Sequence, residues 1–392
     1  MTLLKIVKEE FEEKGMINIP FLVERLVLSI GNHLLNLYNL DEKKFYDAGR
    51  LENFRTHPVF VAPSGFGKSI LFNSFLDKNY GLLKGTGIMT DVRDTFSPES
   101  WMGTAKSSGS EIDIVRGVLH KFRRGILGID DFVDLRFIMA GDKSEGRHDV
   151  NYLLKALDDN RVTKDLCYAN IEVENVGITI WSGIRPTTLD PKASTETGFL
   201  RRLMFHIYYP TPRMINDYKK AVRDKRRKKP FREETRDRII KEVNKIREVI
   251  PEIDEFDLKE VEEWINGNRL IPHFEEIVYK RIAIGYSLVS NPDYEIKLTD
   301  DLVDLFNNEL KNRLIMKRDL ETEMICQVVE DCEGELSREE LIDFFNVYYQ
   351  LRRPRIEQLL YKLNLHQRIT IINNKIYLGD KRKKVWRPKQ PQ

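Results

Sequence analysis

The spacing of apolar residues divides the chain into four stretches of different character. In the first fifty residues apolar positions recur at helical spacing, in the charged amphipathic "MTLLKIVKEEFEEKG" and then in "PFLVERLVLSIGNHLLNLYNL". This predicts two helices, broken between Gly15 and Pro20, that pack against the next part of the chain. From His57 to about Pro212 short apolar runs, "PVFVA", "GIMTDV", "GILGID", "GITIWSG" and "LMFHIYY", alternate with helical stretches. That alternation predicts an α/β fold with a parallel sheet flanked by helices. From Met214 to about Arg318 the pattern is helical and highly charged, with a break at "PEIDEFD".

From Leu320 to Asp380 the pattern changes again. Ser337 and Glu340 form a capping box at a helix start, and Pro354 opens a second helix, "PRIEQLLYKLNLHQ". "RITIINNKIYLGD" alternates around Asn373 and Asn374, a hairpin signal. Helices followed by a hairpin outline a winged helix. The expected organisation is an N-terminal helical segment (1–50), an α/β core (51–213), a helical lid region (214–318), a winged-helix domain (319–380) and a basic tail (381–392).

Composition adds bounds. The 392 residues, 41% of them hydrophobic, suffice for a sizeable core. No stretch approaches the roughly 20 apolar residues of a membrane span, and no signal-peptide core is visible, so a cytoplasmic location without membrane contact is expected. Cys167, Cys326 and Cys332 are too few and too scattered for a disulfide frame or a zinc site. Net charge is only +2, but cations cluster in "KKAVRDKRRKKPFR" (Lys219 to Arg232) and "KRKKVWRPK" (Lys381 to Lys389). Such runs are either solvated faces and tails or contacts to nucleic-acid phosphates.

The chemistry begins at "VFVAPSGFGKSILF", Val59 to Phe72. A strand from Pro58 to Val61 leads through Ala62, Pro63, Ser64, Gly65, Phe66 and Gly67 to Lys68 and Ser69, where a helix starts. This fits the phosphate-binding loop pattern with Ala62 replacing its first glycine. Gly65 and Gly67 let successive N–H groups converge on a β-phosphate, Lys68 reaches the β- and γ-oxygens, and Ser69 ligates Mg²⁺. ATP and Mg²⁺ are the implied cofactors. Downstream, "GILGIDDF" ends an apolar strand in two acids, Asp130 to hold Mg²⁺ through water and Asp131 to orient an attacking water. "GITIWSGIRP" is another buried strand, from which Ser182 or Arg185 reaches between the acids and the γ-phosphate. "TGFLRRLMFHIYYP" sets Arg201 and Arg202 just before a fifth strand.

The series "APSGFGKS", "GILGIDDF", "GITIWSGIRP", "GFLRRLMF", spanning roughly residues 57–212, resembles the AAA+ core of minichromosome-maintenance (MCM) replicative helicases. The C-terminal winged helix agrees with that family's layout. The resemblance implies an ATPase that acts on DNA as a homo-oligomeric ring, a hexamer. In the family the sensor strand ends in an Asn-Pro step, and a Ser-Arg-Phe-Asp box supplies an arginine finger to the neighbouring subunit. Arg185-Pro186 takes the first position and Arg202 the second, with Arg201 as the alternative finger. Arg281 in "YKRIAIGYSL" is the best candidate for a second sensor arginine. The chain departs from the family in having Arg185 for the sensor asparagine and Asp131 for a glutamate. With only about fifty residues ahead of the core, the expectation is a protein without the large N-terminal DNA-binding region of cellular MCM proteins. In this it is similar to MCM-like proteins of plasmids and viruses.

The clade that includes MCM proteins places a pore-facing β-hairpin between the acids and the sensor strand. "NRVTKDLCYANIEVE" has the alternation to form it, with Arg161 and Lys164 as its cations; an external hairpin with incidental charges is the alternative. In the winged helix, Arg352, Arg353 and Arg355 crowd the start of the recognition helix, and Arg368 and Lys375 flank the wing. Winged helices also serve as protein contacts. Three functions compete. One is a ring motor or helicase replicating a mobile element, with DNA and replication proteins as partners. The others are a helicase loader or origin-binding initiator without unwinding activity, and a remodeller of protein complexes.

Overall fold

The computed structural model describes residues 1–16, 20–93, 99–108, 111–130, 155–165, 170–186, 201–223, 230–317 and 320–379. Five strands form one parallel sheet: β1 (His57–Val61), β2 (Thr90–Arg93), β3 (Ile126–Ile129), β4 (Thr179–Ile184) and β5 (Leu203–Ile207). Their spatial order is β5-β1-β4-β3-β2. Alternate side chains enter opposite cores: Val59, Val61, Ile180, Ile184, Leu203 and Phe205 on one face, Phe60, Trp181 and Met204 on the other. Cover on both faces is why β1, β3, β4 and β5 read as largely apolar runs, while β2, Thr-Asp-Val-Arg at the sheet's edge, is half-buried after Thr90.

Eleven longer helices are described: α1 (Leu3–Glu13), α2 (Pro20–Glu42), α3 (Lys68–Leu76), α4 (Pro212–Arg223), α5 (Glu233–Val249), α6 (Lys259–Gly267), α7 (Glu276–Ser290), α8 (Asp300–Met316), α9 (Leu320–Asp331), α10 (Arg338–Tyr349) and α11 (Arg353–Leu365). The Phe60 face is covered by α1 to α3 and α5 to α8, so the first fifty residues share a core with the helices after the sheet. Between α2 and α7 the backbones nearly touch. A Cβ on Gly31 would lie 2.9 Å from Val289, and one on Gly285 would lie 2.7 Å from the Leu28 carbonyl. Trp181 ties the sheet to α2 by donating Nε1–H to Ser29 Oγ at 2.8 Å.

The exposed edge of β5 would carry unpaired backbone groups, and α8 supplies their partners. Glu309, Asn312 and Arg313 share one helical face. Phe205 N donates to Glu309 Oε1 at 3.2 Å and Ile207 N to Asn312 Oδ1 at 3.3 Å. Asn312 Nδ2 donates to Phe205 O at 2.8 Å and Arg313 Nη2 to Leu203 O at 2.6 Å. Both Glu309 and Arg313 are fully buried, and Glu309 also accepts from Arg25 of α2 at 2.9 Å. A helix thus closes the edge in place of a sixth strand.

The other face of the sheet bears the hairpin Arg161–Asp165/Asn170–Glu174 and α9 to α11. The capping box at Ser337 and Glu340 forms as expected. The hairpin Ile369–Ile372/Lys375–Leu378 turns at Asn373 and Asn374, with φ of 49° and 62°. Tyr349 of α10 donates to Pro210 O at 3.1 Å, so this C-terminal group packs on the core rather than hanging from it. A second hairpin, Gly103–Ser108/Glu111–Arg116, was not among the expected elements. Cys326 and Cys332 are buried free thiols, while Cys167 lies outside the described residues. Among the described residues no helix is long and apolar enough to cross a membrane.

Candidate functional site

Register brings the strand ends level. Val61 of β1 pairs with Ile184 of β4 and Ile207 of β5, and Ile129 of β3 pairs with Ser182. The loop 62–69, Asp130, Arg185 and Tyr208 therefore leave the sheet at the same end. The remaining strands lie on one side of β1 and β5 on the other, which makes its carboxyl end the switch point where open α/β sheets bind ligands.

The loop has the backbone its glycines predict. Gly65 and Gly67 take φ of 85° and 79°, in the left-handed region, and Gly67 is the N-cap of α3. Ala62 is buried and still strand-like, donating its N–H to Ile184 O at 3.0 Å, which is why a methyl group is tolerated there. Lys68 is buried and donates Nζ–H to the carbonyls of Ala62 at 2.9 Å and Pro63 at 3.2 Å. Ser69 Oγ donates to the Asp130 carboxylate. Gly183 makes room for this set, since a Cβ there would lie 2.2 Å from Asp130 O and 3.0 Å from Lys68 Cδ. A hydroxyl and a carboxylate side by side suit Mg²⁺, which takes few protein ligands and completes its shell with phosphate oxygens and water.

No protein-family model matches the chain, and no curated protein does. The arrangement therefore rests on its own geometry: a cation, a hydroxyl–carboxylate pair and a helix N-terminus converge on one loop at the carboxyl end of a parallel sheet.

The other candidates divide by place. Asp131 lies outside the described residues. Of the two sensor candidates, Ser182 lies inside β4. Trp181 and Gly183 face α3 and Lys68, so Ser182 faces the opposite core, buried among Ile180 and Ile184. Arg185 follows Ile184 directly and is exposed at the loop's end of the sheet. Arg201 and Arg202 stand at the amino end of β5, roughly 16 Å away along a five-residue strand. Both turn to one acid, Arg201 at 3.7 Å and Arg202 at 2.6 Å from Asp158. Burial lowers the Arg202 pKa, and Asp158 opposes that shift.

Arg281 belongs to the same end, donating to Arg55 O at 3.4 Å, so the structure does not bring it to the phosphate loop of its own chain. Arg55, fully buried, donates to the carbonyls of Ala156, Ile178 and Asp159, and burial pushes its pKa down to about 9. Beside it His57 accepts from Ile180 N at 3.0 Å while its Nε2 contacts Leu157 O at 3.1 Å. Burial holds this ring well below the usual histidine range, and it reads as a neutral strut at the root of β1.

The expected DNA-facing cations are largely engaged. Arg161 pairs with Glu172 across its hairpin, and Lys164 donates to Gly103 O at 3.4 Å, linking the two hairpins. Arg353 lies 2.6 Å from Glu339 and 3.3 Å from Glu357, Arg355 2.7 Å from Glu321, and Arg368 2.8 Å from Glu323. Arg352 is the N-cap of α11 and Lys375 is exposed on the C-terminal hairpin. Exposed pairs of this kind are worth about 0–1 kcal/mol and exchange readily, but they offset the positive field at the start of α11. The basic tail 381–392 and residues 224–229 lie outside the described residues.

Sequence reasoning missed Gly183, Asp158 and a ring cluster on the loop. Phe66 packs between Tyr208, with centroids 5.9 Å apart, and Tyr218, at 5.5 Å. The signal for Asp158 was visible in "LDDNR", two acids ahead of the hairpin.

Proposed function

We propose that the chain is a Mg²⁺-dependent ATPase of the AAA+ kind that acts on DNA, an MCM-like ring motor or helicase in the replication of a mobile element. The observation that carries the reading is the convergence of Lys68, Ser69 and Asp130 on one glycine loop. Lys68 supplies charge to the transferring phosphoryl group, and Ser69 with Asp130 holds Mg²⁺. Asp131 orients the attacking water. Because β4 intervenes between β1 and β3, Arg185 emerges between loop and acid, as a sensor requires. The order helix, helix, helix, hairpin from α9 onward supports a winged helix.

The ion pairs of Arg353, Arg355 and Arg368 favour a second reading, in which the C-terminal domain meets protein and the chain loads or remodels rather than unwinds. A forked DNA substrate with ATP, beside a duplex control, separates the readings. Strand displacement is expected for the motor. ATP-dependent binding without displacement identifies a loader or initiator, and no DNA effect identifies a remodeller of protein complexes.

A further inference from the structure

We propose that Tyr218 is a positioning residue of the phosphate loop, aiming the Phe66 N–H at bound phosphate by holding the Gly65–Phe66 peptide from behind. The inference rests on the phosphate-binding reading of residues 62–69. Tyr218 lies on α4, and its hydroxyl donates to Gly65 O at 3.2 Å. A trans peptide is planar, with C=O and N–H pointing in opposite directions. Fixing the Gly65 carbonyl toward α4 therefore turns the Phe66 N–H the other way, into the cradle.

The loop needs such a hold. Gly65, with φ of 85°, has no side chain to restrain its peptide, and a Cβ there would meet nothing within 4 Å. The same hydroxyl also lies 3.7 Å from where a Cβ on Gly67 would be, so it spans the two flexible positions. Phe66 adds a second anchor, its ring set between Tyr218 and Tyr208. Tyr208 is itself tied to the loop's root through its N–H to Val61 O at 2.8 Å. An amide whose oxygen accepts a hydrogen bond is polarised and becomes a better N–H donor, so Tyr218 strengthens the contact it aims.

Tyr218→Phe removes the hydroxyl and keeps the ring. Calorimetric titration of the full chain with Mg-ATP and with inorganic tripolyphosphate reads the effect, beside thermal unfolding without ligand. The expected result is a loss of affinity of roughly two- to tenfold, equal for both ligands, with an unchanged unfolding temperature. Unchanged affinities overturn the proposal. A loss confined to ATP also overturns it, since it assigns Tyr218 to the base rather than to the phosphates. A wild-type chain that binds neither ligand overturns the phosphate-binding reading, and this proposal with it.

Discussion

Lys68 is tethered to the carbonyls of Ala62 and Pro63, which keeps its ammonium under the loop. On the proposed ATPase reading, Lys68→Ala is expected to abolish phosphate release, while Asp131→Glu keeps or raises it, because the lysine would supply charge and the acid would only orient water. Wild-type turnover in the lysine variant would remove the ATPase reading. Gly183→Ala forces a methyl group against Asp130 O, so it should cost about 1–3 kcal/mol in chemical denaturation and weaken nucleotide binding with it. Buried histidines contribute to the pH dependence. Burial holds His33 at about 3 and keeps His57 and His206 well below the usual range. The unfolded chain takes up these protons first, so their stabilisation is complete above pH 6.5 and is lost as pH falls below it. At pH 5 the loss is about 2 kcal/mol for His33 alone, which a series of thermal melts from pH 7.5 to 5 would register. The loop was legible because glycines, lysine and hydroxyl sit within eight consecutive residues. Gly183 and Tyr218 were not, since the contacts that single them out come from residues far away in sequence, and the face that Ser182 takes showed only once the side covered by α3 was known.

Among elements, β1, β3, β4 and β5 were legible from their largely apolar runs, β2 from the short run "GIMTDV" that leads into it, and the capping box and Asn-Asn turn from local chemistry. The hairpin Gly103–Ser108/Glu111–Arg116 escaped because its polar residues blur the alternation. The pairing of the C-terminal arginines with acids escaped because those acids come from α9, α10 and a later turn of α11. Closure of β5 by α8 had no sequence signal either, since a helix face of Glu, Asn and Arg reads as solvated until a sheet edge lies beside it. That closure is testable. Asn312→Ala orphans Phe205 O and Ile207 N and should cost about 1–3 kcal/mol. Glu309→Ala leaves Arg25 and Arg313 buried without it and should cost about 3–5 kcal/mol. Urea denaturation of the two variants gives both numbers, and equal small losses would show that the edge does not need α8.

At the scale of the whole molecule the open question is assembly. Arg202 stands at the opposite end of the sheet from Lys68, where it can complete a neighbour's site only if protomers join head to tail, a contact that gives a ring where its rotation closes and a filament where it does not. Mixing Lys68→Ala with Arg202→Ala protein should then restore partial ATPase, because some interfaces combine an intact loop with an intact finger. No recovery in mixtures shown to co-assemble would confine Arg202 to its partnership with Asp158. The pairing of α2 with α8 carries a consequence of another kind, one of timing. Arg25 and Glu309 lie 284 residues apart, and α7, which α2 nearly touches, also comes late in the chain. A ribosome adding about 5–20 residues per second leaves α2 without α7 and α8 for roughly 15 to 60 seconds, although α1 and β1 are already made. During that interval the face of α2 around Leu28, Gly31 and Asn32, which α7 covers in the finished protein, is open to water and to other nascent chains. Yield in a cell is therefore expected to follow the supply of chaperones that cover this helix. Fragments ending before Glu276 should collect in the insoluble fraction at temperatures where the full chain stays in solution.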